Sequence, residues 1–246
     1  MEISLEYKNV LVTGGATGIG RAIAEAFTET GANVMINHFD QAAQADELVD
    51  NGPVRDAFNA DVSDKASVTS MMQKISDRYG PLDVLVNNAA ISQPTPFLEI
   101  SEEVWDRTLG VNLKGAMLCC QAAIPGMLDE GEGVIINIVS ELGYLGREQF
   151  AAYTASKGAL ITLTRSLARE FAPAIRVNGI APGPVMTNLL RGEIETEKDW
   201  QQEMDIPLQR IAEPEEIAGT AVFLASDYAR FYCGDVLSPS GGALMR

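Results

Sequence analysis

Asn9-Val-Leu-Val-Thr-Gly-Gly-Ala-Thr-Gly-Ile-Gly20 carries the first reading of this chain. A short β-branched run enters glycines, and Ile19, Ile23, Ala26 and Phe27 then recur at helical spacing as one apolar stripe. A strand that turns through glycine into a helix aims the first backbone N–H groups, and the positive end of the helix dipole, at the turn. Gly14, Gly18 and Gly20 leave room there for a pyrophosphate to approach the backbone. The spacing is Gly-x-x-x-Gly-x-Gly, and no Lys-Ser or Lys-Thr pair follows, so a dinucleotide fits better than a nucleoside triphosphate. Taken singly, such a turn also serves ordinary strand-to-helix connections.

Outward from this stretch, β-branched runs at 33–37, 55–60, 83–86, 133–139, 175–180 and 235–237 alternate with amphipathic segments such as the one carrying Val68, Met71, Met72 and Ile75. That alternation predicts an α/β fold, a parallel sheet covered by helices on both faces. No Gly/Ser/Pro-rich linker or repeat divides residues 1–246, so one domain is expected. Acidic 187–205, with Glu193, Glu195, Glu197 and Asp199, offers few core positions and reads as an excursion at about 186–208. It is either a solvated insertion or a flap over the site.

The composition, 46% hydrophobic and 21% charged, is that of a soluble globular chain. A net charge of −16 argues against nucleic acid or an anionic membrane as partner. Segment 116–128 is broken by Gln121 and Pro125 and is too short to span a bilayer, and 1–8 has no secretory pattern, so a cytoplasmic location is expected. Cys119, Cys120 and Cys233 form neither a disulfide framework nor a zinc spacing and read as buried free thiols. With His38 the single histidine and no Gly-x-Ser-x-Gly elbow, no metal site and no Ser-His-Asp hydrolase are expected.

Tyr153 and Lys157 stand four residues apart in Ala151-Ala-Tyr-Thr-Ala-Ser-Lys-Gly-Ala159, on one face of an expected helix. A free tyrosine has a pKa of about 10, and bringing it to neutrality takes roughly 4 kcal/mol of preference for the phenolate. An ammonium one turn away can supply it. The same pair also suits a solvated helix face, with the lysine lying along the ring.

Together, Thr13-Gly-x-x-x-Gly-x-Gly20, Asp61, Asn87-Asn-Ala89, Asn112, Ser140, Tyr153-x-x-x-Lys157 and Pro182-Gly183 resemble the short-chain dehydrogenase/reductase family in its classical form, over nearly the whole chain. The resemblance implies a Rossmann-type doubly wound sheet of about seven parallel strands, a nicotinamide cofactor and a homotetramer or homodimer. It implies Tyr153 as general acid/base and Lys157 as the group that lowers its pKa and bonds the ribose. Ser140 would hold the substrate oxygen, and Asn112 a water leading to the lysine. Cofactor contacts implied are Gly14, Thr17, Gly18, Ile19, Gly20, His38, Asp40, Asp61, Val62, Asn88, Ala89, Pro182, Gly183, Val185 and Thr187, with Tyr153 and Lys157. Ala90 stands where the family has glycine, and Asp61 doubles as a candidate cap for a helix starting near Ser63.

In Asn37-His-Phe-Asp40, neither the aspartate of many NAD users nor the arginine of many NADP users appears in register. Acidic Asp40 favours NAD, with NADP the alternative through His38. Gln93, Ser140, Glu141, Leu142, Gln149, Tyr153 and Pro184 are the expected substrate contacts, and the polar ones suit hydroxyls. The first expectation is therefore a sugar or polyol dehydrogenase. A 3-oxoacyl thioester or small-ketone reductase is second, and a dinucleotide sensor without turnover third, since a sensor is expected to lose the serine, tyrosine or lysine.

Overall fold

Strand side chains alternate between two cores, which is how one sheet comes to be covered twice. Val10 and Val12 point into one cluster and Leu11 into the other; Val34 and Ile36 are split from Met35, and Val84 and Val86 from Leu85, in the same way. The strands are β1 (Asn9–Val12), β2 (Asn33–His38), β3 (Asp56–Asn59), β4 (Val84–Asn87), β5 (Gly133–Ile138), β6 (Ile175–Ile180) and β7 (Val236–Leu237). They form one parallel sheet ordered β3-β2-β1-β4-β5-β6-β7. The computed structural model describes residues 3–50, 52–194 and 196–245. Each expected strand is present with bounds shifted by at most one residue at either end.

The helices are α1 (Gly18–Glu29), α2 (Ala42–Asp50), α3 (Lys65–Tyr79), α4 (Glu102–Leu109), α5 (Ala116–Glu130), α6 (Leu142–Leu145), α7 (Ala151–Phe171), α8 (Asn188–Glu193), α9 (Glu197–Met204) and α10 (Pro214–Ala225). Ile23 and Phe27 of α1 pack with Ile217, Ala221 and Leu224 of α10 on one face of the sheet. Val68, Met71, Met72 and Ile75 of α3 pack with Cys119, Ala123 and Met127 of α5 on the other. The architecture is thus a single Rossmann-type α/β domain. No helix among the described residues is long and apolar enough to cross a membrane.

From β1 the chain winds outward to β3, then returns to place β4 on the other side of β1. The loops after β1 and β4 therefore diverge, leaving a crevice at the carboxyl edge of the sheet, where open α/β sheets bind ligands. Cys119 and Cys120 are buried as expected, whereas Cys233 is exposed, because it lies in the turn before β7 rather than in a packed element. The cap of α3 is Asp64, whose carboxylate accepts from Ser67 N at 2.8 Å, so the helix starts later than expected and Asp61 is free of that task.

Arg176 on β6 secures the far end of α10. Its Nη1 donates to Leu224 O at 2.9 Å and Ala229 O at 3.0 Å, satisfying carbonyls that a helix end leaves open. Arg176→Met keeps much of the apolar stem but no donor. It is expected to lower the unfolding free energy by about 2 kcal/mol, with the denaturant slope unchanged, in urea titrations.

Candidate active site

Thr13 and Asn88 join the two diverging loops. Thr13 Oγ1 accepts from Asn88 N at 3.0 Å and Ala89 N at 3.1 Å, and Asn88 Nδ2 donates back to Thr13 O at 2.9 Å and Gly14 O at 3.1 Å. Between and around these loops lies a cavity of about 330 Å³. Its wall includes Gly14, Thr17, Gly18, Ile19, Asp61, Val62, Asn88 and Ala89 on one side. Ser140, Leu142, Tyr153, Lys157, Pro182, Gly183, Pro184, Val185 and Thr187 lie on the other.

The glycine loop fits a dinucleotide by close packing. A Cβ on Gly14 would lie 2.9 Å from Ala89 Cα, with φ at +60°, and one on Gly20 would lie 2.3 Å from Gly14 O. Gly20 does not line the cavity; it lets α1 close up beneath the loop that does.

Beside β2 the strand pleat decides which residues reach the cavity. Asn37 and Phe39 line it, while His38 and Asp40 do not. His38 is buried, burial pushes its pKa down, and Nδ1 accepts from Gln41 N at 3.4 Å; Asp40 is exposed. Arg107 of α4 was missed by sequence reading. It donates to Asp61 Oδ2 at 2.8 Å and Ser63 Oγ at 2.7 Å, and its guanidinium sits 5.8 Å from the centre of the Phe39 ring. Burial would raise the Asp61 pKa, but hydrogen bonds from Ser63 and Arg107 hold it below the ordinary carboxylate value.

At the other end, β5 delivers Ser140 and α7 delivers Tyr153 and Lys157. Lys157 is 2% exposed, and its Nζ donates to Ile138 O at 2.7 Å and lies 5.7 Å from the Tyr153 ring centre. Burial brings its pKa down to about 8. The Tyr153 pKa is raised, not lowered as expected. Burial is the main cause and the Glu141 and Glu193 carboxylates add to it, outweighing a hydrogen bond with Ser140.

Asn112 is on the wide helical turn Gly110–Gly115 between α4 and α5, buried behind the wall rather than on it. Its Oδ1 accepts from Ile91 N at 2.8 Å, and its Nδ2 donates to Ile91 O at 2.9 Å and Ser156 Oγ at 3.1 Å. The side chain thus splints the loop after β4. Gln93 and Gln149 are exposed and off the wall, because their loops are tied to each other instead, Thr95 N donating to Gln149 O at 2.8 Å.

The excursion at 186–208 forms α8 and α9, which contribute Leu190, Glu193 and Glu203 to the wall; Glu195 lies outside the described residues. Glu203 forms an ion pair with Arg147, whose guanidinium stacks 4.9 Å from the Phe150 ring centre. Both partners of this pair were invisible in the sequence, being 56 residues apart.

Residues 14–243 match the family model described as "Enoyl-(Acyl carrier protein) reductase". The 3-oxoacyl-[acyl-carrier-protein] reductase FabG of Staphylococcus aureus is 39% identical over 246 residues, which cover 97% of this chain and 98% of its own. A solved short-chain dehydrogenase/reductase from Brucella melitensis, described as "Glucose/ribitol dehydrogenase", matches with a TM-score of 0.91 at 34% identity, covering 100% of both chains. A structure from Beutenbergia cavernae, described as "a putative NAD(P) dependent gluconate 5-dehydrogenase … with bound NADP (low occupancy)", matches with a TM-score of 0.91 at 37% identity over 98% of each chain. Glycine loop, strand-end serine and Tyr153-x-x-x-Lys157 thus occur together on the fold these relatives share, and the chain belongs to the classical short-chain dehydrogenase/reductase family of NAD(P)-dependent oxidoreductases.

Proposed function

We propose that the enzyme interconverts a secondary alcohol of a sugar or polyol and its ketone, with Tyr153 as general acid/base. The observation that carries this reading is that Ser140, Tyr153 and Lys157 border the same cavity as the glycine loop. The nicotinamide, when bound, supplies or accepts the hydride. In reduction Tyr153 gives its phenolic proton to the carbonyl oxygen, and in oxidation it takes the hydroxyl proton. Its raised pKa makes it a proton donor at rest. Ser140 holds the same oxygen. Lys157, anchored on Ile138 O, keeps remaining N–H donors for a ribose and a positive charge near the tyrosine below about pH 8. Asn112 acts by holding the Ile91 backbone in place.

Glu141, Glu193 and Glu203 on the wall support a substrate rich in hydroxyls, since carboxyl oxygens accept hydrogen bonds whether or not they are ionised. α8 and α9 would act as its flap. Similarity to the Staphylococcus aureus reductase supports a second reading, reduction of a 3-oxoacyl thioester. NAD is the favoured cofactor, because Phe39 and Gln41 beside β2 are uncharged and Arg107 is already held by Asp61. The Beutenbergia cavernae structure with NADP keeps NADP as the alternative. A cytoplasmic homotetramer or homodimer completes the proposal.

Absorbance assays with NAD and NADP against sugars, polyols and acetoacetyl thioesters test the substrate class. Turnover of a polyol is expected, and turnover of the thioester alone favours the second reading. A kcat/KM at least about tenfold higher with NAD than NADP is expected, the ratio that a 1.4 kcal/mol preference gives; the reverse ratio overturns the NAD preference. Tyr153→Phe is expected to lower kcat by about 10² to 10⁴ while fluorescence titration gives a near-unchanged cofactor Kd.

A further inference from the structure

Glu141 follows the strand-end serine and is only 7% exposed. Ser140 Oγ donates to its Oε2 at 3.1 Å and accepts from Leu142 N at 3.1 Å. A serine hydroxyl has one proton and two lone pairs. While Glu141 is ionised, the proton is committed to the carboxylate and one lone pair to Leu142, so Ser140 has only a lone pair left for the reacting centre, where the Tyr153 hydroxyl also bonds it. When Glu141 is protonated, its O–H can donate to Ser140 Oγ, and the serine proton is released towards the substrate. A carbonyl oxygen, gaining negative charge as hydride adds to its carbon, is stabilised by donors and opposed by lone pairs.

The ionisable groups acting on Glu141 are Arg147 from the loop after α6, Tyr153 from α7 and Glu203 from α9, and Lys157 from α7 and Glu193 from α8 line the same cavity. Arg147 is paired with Glu203, and Lys157 is bonded to Ile138 O, so neither cation is committed to Glu141. Burial pushes the Glu141 pKa up to about 7, the bond with its own backbone N–H and then the Ser140 bond opposing it only in part. An ionised Glu141 also opposes the Tyr153 phenolate.

We propose that Glu141 is a positioning residue that governs, through the Ser140 hydroxyl, whether the site offers a donor or a lone pair to the substrate oxygen, neutral Glu141 being the form competent for carbonyl reduction. This rests on the assignment of Ser140 and Tyr153 as the reacting groups. In the reductive step the carbonyl carbon gains the hydride with its electron pair and the oxygen gains the Tyr153 proton. Ser140 and Glu141 only reverse the sense of a hydrogen bond, with no net proton transfer between them and the substrate.

Two measurements test this. In the reductive direction, wild-type kcat/KM is expected to fall by about tenfold per pH unit above the Glu141 ionisation, as expected for one required proton. Glu141→Gln, whose amide donates without ionising, is expected to remove that limb, and Glu141→Leu to be lower at all pH values without the limb. A limb whose midpoint stays at the Glu141 ionisation in Glu141→Gln, rather than moving up to that of Lys157, overturns the proposal. Independently of any substrate, carbon-13 NMR of side-chain-labelled glutamate, assigned by Glu141→Gln, is expected to show a carboxyl titrating near neutrality. Its midpoint should rise further in Ser140→Ala, because the serine bond favours the carboxylate. A Glu141 that titrates in the ordinary acid range, indifferent to Ser140→Ala, overturns the proposal even in an active enzyme. Coupled NMR titration without turnover of any alcohol or ketone instead overturns the functional reading while leaving the Ser140–Glu141 linkage standing.

Discussion

Hydrogen bonds between Thr13 and Asn88 hold together the two loops that a reversal in sheet order drives apart. Parallel strands present all their carboxyl ends at one edge, and only between β1 and β4 do successive connections leave on opposite faces. An open crevice of backbone groups would be soft without ties across it. The Thr13 hydroxyl serves two N–H groups of the β4 loop, and Asn88 returns two donors to the glycine loop. The glycines then matter because they admit this closeness: Gly14 presses on Ala89, and Gly20 on Gly14.

The electrostatics of the other end are acidic and tightly enclosed. Three glutamates border the substrate side of the cavity, with Arg147 engaged by one of them. Burial first, and then the Glu141 and Glu193 carboxylates, hold Tyr153 in its protonated form, and the lysine one turn away does not reverse this. In this geometry the ammonium is bonded to a backbone carbonyl and faces the ring from 5.7 Å, too indirect to outweigh burial and like-signed neighbours. Lysine and tyrosine at helical spacing share a face, but the pKa of either depends on everything else packed there.

Strand positions were legible because period-two burial in a doubly covered sheet leaves long β-branched runs, and the helices because Ile23, Phe27, Met71 and Ile75 repeat at helical spacing. Ser140, Tyr153, Lys157 and the glycine loop were legible from motif and order. The strand pleat after β2, which turns Asn37 and Phe39 rather than His38 and Asp40 to the cavity, is not legible from counting residues along the motif. That Gln93 and Gln149 stand off the wall was not legible, because polarity near a motif says nothing about where a loop is tied.

By itself, the sequence determined the α/β class, the strand positions to within a residue at either end, the glycine turn between β1 and α1 and the serine, tyrosine and lysine as candidates, since these depend on local periodicity and short spacing. Tertiary structure alone decided which charges meet. Arg107 reaches Asp61 across 46 residues and Arg147 reaches Glu203 across 56, while Glu141 loses its water where β5, α7 and α9 converge. Desolvation and Coulomb energy depend on distance and enclosure in space, and neither is written in the separation of residues along a chain.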